Sequence, residues 1–224
     1  MIDPEEMRIA IMNIAANIGP ALTLDVADAE SIADLRRQAE GCTRCDLYRN
    51  ATQLVFGEGP DKAEVALVGE QPGDREDITG RPFVGPAGHL LDQCLEEAGL
   101  DRQRCYVTNA VKHFKFTPRG KRRLHAKPNA GEIRRCAWWL GAELNILQPK
   151  LVVALGATAL YALLGPKVKL TPERGHILQP TNRPPVLVTI HPSYLLRIRD
   201  EAEQHRQRRQ FVSDLHKAAE FQLR

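Results

Sequence analysis

The residues of this 224-residue chain best suited to chemistry fall into three groups. The first is Cys42-Thr43-Arg44-Cys45. Two thiolates at this spacing can grip one metal or cluster, because a tight turn points both sulfurs inward. Cys94, Cys105 and Cys136 lie downstream, and the CxxC alone leaves zinc, iron–sulfur and redox chemistry open. The second group is a set of polar residues that directly follow apolar runs: Glu70-Gln71, Asn109 and His191. The third is basic. Between Lys112 and Arg135 nine Lys or Arg face one Glu, about +8 in a chain whose total is +3, so the remainder is mildly acidic. A concentrated basic segment on such a body suggests a surface for a polyanion, although a solvated charged loop has the same composition.

The elements that must position these groups alternate. Helical spacing covers 5–18 and 30–40, the second with Asp28 or Ser31 as its cap. Strands are expected at 63–69, 105–111, 151–156 and 186–190, each a continuous apolar run rather than an alternating one. Helices are expected at 87–98 (closed by Gly99), 129–147, 157–164 and 199–222, with a basic loop at 113–128. This order predicts a three-layer α/β/α sandwich around a central, mainly parallel four-stranded sheet. One domain spans 1–224, with 1–37 a helical N-terminal extension. Composition agrees: 43% apolar and 26% charged residues exclude wholesale disorder and allow a real core. No apolar run approaches the roughly 18 residues of a membrane span. The start, Met1-Ile2-Asp3-Pro4-Glu5-Glu6, is acidic where a secretory signal is basic. A cytoplasmic chain without structural disulfides is therefore expected.

In parallel sheets ligands sit beyond the carboxyl ends of the strands, where Glu70, Asn109 and His191 fall. The loop Gly69-Glu70-Gln71-Pro72-Gly73-Asp74 and the turn Arg81 to Gly88 shape this end, and the helix start near Gly85 could offer amides to an anion or a carbonyl. Without a Gly-Lys-Ser/Thr close it is no nucleotide P-loop. Phe83 is a core plug or a ring that stacks on a planar ligand. Asn109 could match a pyrimidine edge or merely shape a turn. His191, in His191-Pro192-Ser193, could donate to a developing oxyanion, and Arg197 beyond it could reach a phosphate.

Taken together, Gly69 to Asp74, Pro82 to Gly88, Val107-Thr108-Asn109, Leu155-Gly156-Ala157-Thr158 and His191-Pro192-Ser193 stand in the order of the uracil-DNA glycosylase superfamily. The chain resembles its iron–sulfur family 4 over about residues 38–222. Two departures resemble the UdgX branch, whose members become covalently attached to DNA. Gln71 stands where family 4 has Ala, and Gly120-Lys121-Arg122-Arg123-Leu124-His125 forms an insertion.

The resemblance implies a set of roles. Phe83 stacks on a flipped uracil, Asn109 reads its edge, and His191 stabilises the leaving base. His125 captures the anomeric carbon in place of water, supported by Glu70. Lys121, Arg122 and Arg123 favour a neutral imidazole and bind phosphates, as could Ser193 and Arg197. Gln71 contacts the base or the loop, with Gly69 and Asp74 lining the substrate site. The implied cofactor is a [4Fe–4S] cluster on Cys42, Cys45, His113 and Cys136, with zinc as the alternative. Broad visible absorbance separates iron from zinc. Cys105 competes for the third ligand position, and Cys94 reads as core. The implied partner is uracil-containing DNA, preferably single-stranded, met by a monomer. Two other readings compete: a family-4 enzyme that turns over and leaves a free abasic site, and a nucleic-acid-binding module without catalysis.

Overall fold

The computed structural model describes residues 29–222. The expected helix at 5–18 lies outside the described residues. From Ala29 onward the chain forms α1 (Ile32–Ala39), β1 (Val65–Gly69), α2 (Asp74–Thr79), α3 (Pro86–Glu97), β2 (Cys105–Asn109), β3 (Phe116–Arg119) and β4 (Arg122–His125). It continues through α4 (Ala130–Leu147), β5 (Leu151–Leu155), α5 (Ala157–Leu164), α6 (Leu170–Glu173), β6 (Ile177–Leu178), β7 (Val186–Thr189), α7 (Pro192–Leu195) and α8 (Glu201–Gln222). Ser31 caps α1, its hydroxyl accepting from the Asp34 amide at 3.1 Å.

Strands β1, β2, β5 and β7 are buried at every position, which is what a parallel sheet covered on both faces requires. Successive side chains point to opposite layers. Val65 and Leu67 pack with Leu91 and Leu95 of α3 and Phe211 and Leu215 of α8. Ala66 and Val68 pack with Leu140 of α4 and Leu160 of α5. A third cluster joins Ile32 and Leu35 of α1 to Trp138 and Trp139 of α4. The sheet has five strands in the order β2-β1-β5-β7-β6, not four. The added strand, β6, pairs antiparallel at the edge and is two half-buried residues long, too short to leave a periodicity in sequence.

The basic segment also departs from the expected loop. It is an antiparallel hairpin, β3 with β4, pairing Phe116 with His125 and Arg119 with Arg122. Gly120, at φ 59°, takes the left-handed conformation at its tip. Both strands are largely exposed, so neither carries the apolar run by which a strand is read from sequence.

A buried polar network holds the end of β2. Lys112 and Glu143 are fully buried, and the Lys112 ammonium lies 2.5 Å from Glu143 Oε2. It also donates to Thr108 Oγ1 at 2.6 Å and to the Asn109 carbonyl at 2.9 Å. Glu143 Oε1 accepts from the Tyr106 hydroxyl at 2.9 Å and the Gly57 amide at 3.2 Å. Removing one partner leaves a buried charge without compensation. Lys112→Met should therefore lower unfolding free energy by about 3–5 kcal/mol in urea titrations, whereas removal of the exposed Arg37 on α1 should change it by less than about 1 kcal/mol.

Candidate active site

The sheet order places the site. From β1 the chain moves outward to β2 and then returns to β5 on the other side of β1, so the strand order reverses beside β1. A cavity of about 950 Å³ opens at this switch point. Glu70, Gln71, Asp74, Phe83, Asn109, His125, His191, Ser193 and Arg197 all line it. Of the other expected residues, Gly69 lies behind the wall, and Lys121, Arg122 and Arg123 are not among the lining residues.

Gly69 and Asn109 are register partners at the ends of β1 and β2. A Cβ on Gly69 would stand 2.4 Å from Asn109 Oδ1 and 2.6 Å from the Phe83 ring, so glycine lets both approach the floor. Asn109 is 3% exposed and its Oδ1 is a buried acceptor with no partner among the described residues. Such an atom calls for a donor from a ligand. Phe83 is a core residue that also reaches the cavity. It belongs to the core cluster, yet it lines the cavity and stacks on the His191 ring at 6.0 Å. Its φ of 57° is a strained backbone state for an aromatic residue, of the kind that collects at functional sites. A Cβ on Gly88 would meet the Phe83 carbonyl oxygen at 1.8 Å, so the start of α3 packs directly on this strained turn.

The amides expected to await an anion at that helix start are partly taken. Glu76 on α2 accepts from the Gly85 amide at 2.9 Å and from its own N-cap amide, Gly73, at 3.1 Å. One carboxylate thus caps two helices and ties the two loops of the cavity together. Glu76 escaped the sequence reading, although Gly73-x-x-Glu76 has the spacing of a capping box.

His191 ends β7 and caps α7. The Ser193 amide donates to Nδ1 at 3.2 Å, and Ser193 Oγ lies 2.8 Å from the same atom. Arg197 Nη1 donates to Ser193 Oγ at 3.2 Å, which leaves the hydroxyl proton for Nδ1. With Nδ1 accepting, the ring proton resides on Nε2. Burial first, then the charges of His125 and Arg197, push its pKa down to about 4. The ring is a neutral Nε2–H donor at neutral pH.

His125, half-exposed on β4, faces Glu70 across the cavity, Nε2 to Oε1 at 3.3 Å. Gln71 puts it there. Its Oε1 accepts from the Lys115 amide at 3.1 Å, and its Nε2 donates to the carbonyls of Lys115 at 3.2 Å and Ala126 at 3.0 Å. Both arms of the hairpin are thereby clipped by one side chain. The same amide nitrogen is 2.9 Å from His125 Nε2. Glu70 Oε2 accepts from the Thr158 hydroxyl.

Arg123 does not lie free for phosphate. It pairs with Asp74 at 2.7 Å and with buried Asp77 at 2.5 Å, and lies over Phe114 and Phe116 at 5.4 and 5.2 Å. It fastens the hairpin to α2, and Asp74, through this pair, belongs to that fastening as well as to the cavity wall. Lys121 and Arg122 at the hairpin tip are exposed.

The thiols of Cys42, Cys45 and Cys136 gather in one region: burial first, and then the neighbouring thiols, raise the pKa of Cys45 (through Cys42) and of Cys136 (through Cys45 and Cys42). Each sulfur also has an N–H partner: Trp139 Nε1 to Cys42 at 3.1 Å, the Leu47 amide to Cys45, and the Lys112 amide to Cys136 at 3.1 Å. Three soft donors with N–H groups aimed at sulfur suit an iron–sulfur cluster or zinc. Among the described residues, however, no three His, Cys, Asp or Glu are arranged to hold a metal ion, so the expected four-ligand set is not assembled. His113 is buried, and the charged group acting on it is Asp77, not a cysteine. Cys105 bonds Asp101 and Gln222 and burial pushes its thiol up to about 12, while Cys94 is fully buried in the core.

The His191 assignment has a measurable consequence. Its folded pKa lies below the unfolded value, so the unfolded chain binds more protons between about pH 4 and 6.5. The stability that comes from keeping the ring neutral is present above pH 6.5 and is lost as pH falls through that window. Imidazole NMR should show His191 as the neutral Nε2–H tautomer down to about pH 5; a midpoint near 6.5 would contradict the burial argument.

Comparison with known proteins gives a consistent result. The uracil DNA glycosylase superfamily matches residues 56–216. A type-4 uracil-DNA glycosylase of Thermotoga maritima is 41% identical over 181 residues, 80% of this chain and 88% of the relative. The type-4 uracil-DNA glycosylase of Archaeoglobus fulgidus is 39% identical over 130 residues, 58% of this chain and 62% of the relative. That of Pyrobaculum aerophilum is 36% identical over 170 residues, 73% and 83% of the two chains. With nearly all of the sheet, the cavity and the hairpin inside the matched region, the chain belongs to the uracil DNA glycosylase superfamily.

Proposed function

We propose that the protein is a uracil-DNA glycosylase of the UdgX type: it excises uracil from DNA, and the ring of His125 then captures the exposed deoxyribose, leaving protein and DNA covalently joined. The observation that carries this reading is the placement of His125 Nε2, at the cavity wall and 3.3 Å from Glu70 Oε1.

The base is drawn from the stack at a cost of a few kcal/mol, less where no pairing must be broken, which favours single strands. The partnerless Asn109 Oδ1 can accept from the imide N–H of uracil. Cytosine presents a lone pair at that position and would face acceptor with acceptor. Phe83 offers the stacking face. As the glycosidic bond breaks, its electron pair leaves with the base. The neutral Nε2–H of His191 donates to the carbonyl oxygen on which this charge grows, and the site is buried enough for the bond to count. The sugar acquires oxocarbenium character, which the Glu70 carboxylate stabilises.

Capture needs a lone pair on His125 Nε2. Its two contacts there select opposite states: facing Glu70, the nitrogen donates a proton; facing the Gln71 amide, it accepts one. Transfer of the Nε2 proton to Glu70 leaves the neutral Nδ1–H ring, whose Nε2 lone pair rests against the Gln71 amide and must turn from that contact to reach the sugar. The bond from Nε2 to the anomeric carbon then forms, and the Nδ1 proton is lost to solvent from the resulting imidazolium. A ring held in place has a large effective concentration over water. Exposed Lys121 and Arg122, with Arg197 on the opposite wall, supply phosphate contacts, and Ser193 acts through His191.

On donor type, Cys42, Cys45 and Cys136 would supply thiolates to a [4Fe–4S] cluster, as the resemblance to family 4 implies, or to zinc; His113, set beside Asp77, is not placed with them. The group would cross-link the segment after α1 to the start of α4 beneath β2. A second reading is favoured by the type-4 relatives: turnover, with water finishing the reaction and a free abasic site left behind.

Incubation with single-stranded uracil-containing DNA and denaturing electrophoresis separates the readings. The covalent one predicts a shifted band that His125→Ser abolishes while uracil release persists. Alkali-labile cleavage without a shift would establish turnover, and an unchanged strand would leave a binding module.

A further inference from the structure

The motif Leu155-Gly156-Ala157-Thr158 stands out in the sequence without an assigned role. In the structure Thr158 lies in the first turn of α5, 3% exposed, and its hydroxyl donates to Oε2 of Glu70. The other carboxylate oxygen, Oε1, is the one that faces His125. The turn between β5 and α5 packs tightly on His191: Gly156 has φ 91°, and a Cβ there would stand 3.0 Å from the His191 Cβ. Buried threonines near helix starts commonly bond their own backbone. This one reaches a side chain at the end of another strand instead. The terminal torsion of a glutamate is broad and roughly two-fold, so an unrestrained Glu70 could present either oxygen, or neither, to the reacting sugar.

We propose that Thr158 is a positioning residue for excision: its hydroxyl holds one oxygen of Glu70 so that the other stays turned to the sugar and to His125. The inference rests on the role given to Glu70 above and deepens it. Thr158 touches neither base nor sugar. It acts by restricting the carboxylate and by stabilising its charged form through one charge-assisted hydrogen bond.

The test is single-turnover kinetics on a single-stranded uracil-containing oligonucleotide, with adduct and released uracil followed in the same samples. Wild type is compared with Thr158→Val, Thr158→Ser, Glu70→Ala and the Glu70→Ala/Thr158→Val double variant, and DNA affinity and melting temperature are recorded for each. Thr158→Val should slow the chemical step roughly tenfold or more, as expected for losing a hydrogen bond to a charged group, with DNA affinity changed less than about twofold. Thr158→Ser should restore the rate. If Thr158 acts through Glu70, the double variant is no slower than Glu70→Ala alone. A Val variant as fast as wild type, a Ser variant as slow as Val, or single effects that multiply in the double variant would each overturn the proposal. Should the Val variant not fold, Thr158→Ala takes its place in every comparison. A wild-type protein that releases uracil without an adduct would refute capture by His125 alone, and the Thr158 comparison is then read from uracil release.

Discussion

One primary amide sets the geometry on which the chemistry depends. Gln71, just past the end of β1, hydrogen-bonds the backbone of both arms of the β3–β4 hairpin, at Lys115 and at Ala126. A two-stranded hairpin is marginal by itself in water. Side chains tie this one to the body through Gln71 and the Lys115–Glu132 ion pair at its base and through Arg123 along its length, where Arg123 pairs with Asp74 and Asp77. The register of the hairpin then decides which residue looks inward, and a slip of one residue would turn His125 away. The buried network around Lys112 and Glu143 plays the matching part under Asn109, where the ammonium holds the Asn109 carbonyl. The Asn109 amide and the His125 imidazole are thus mounted on separate supports that meet at the carboxyl end of one sheet.

The two histidines of the cavity illustrate how environment divides labour between identical side chains. His191 is buried, capped at Nδ1 by the Ser193 amide and hydroxyl, and held neutral by its surroundings. It can donate from Nε2 and has little reason to exchange its proton. His125 is half-exposed beside a carboxylate, with a second neighbour that favours the opposite protonation of the same nitrogen. The first suits stabilisation of a leaving anion; the second suits a nucleophile whose proton must be removed before it reacts.

Much of this was legible in the sequence because the strands that carry the site are wholly buried and read as continuous apolar runs. Their ends could be located to within two residues, and the polar residues at those ends meet in one cavity. Where burial is partial the reading weakened. The edge strand at Ile177–Leu178 is too short to carry a pattern, and the hairpin is charged on exposed positions of both strands, so it was read as a loop. Arg123 looked like a phosphate ligand for the same reason. Charge is visible in sequence, but the paired Asp74 and Asp77 lie some fifty residues away, on a short helix that was not expected. Thr158 bonds Glu70 across 88 residues, a partner only the fold brings near, whereas Glu76 bonds amides three and nine residues away and its spacing to Gly73 was there to be read.

The central claim is that a bond forms between His125 and deoxyribose, and peptide mapping tests it most directly. Wild-type protein reacted with a uracil-containing oligonucleotide, digested with protease and nuclease and sequenced by tandem mass spectrometry, should yield a peptide bearing the abasic deoxyribose mass on His125 alone. The same mass on another residue, or its absence from a sample that has released its uracil in full, would contradict the account.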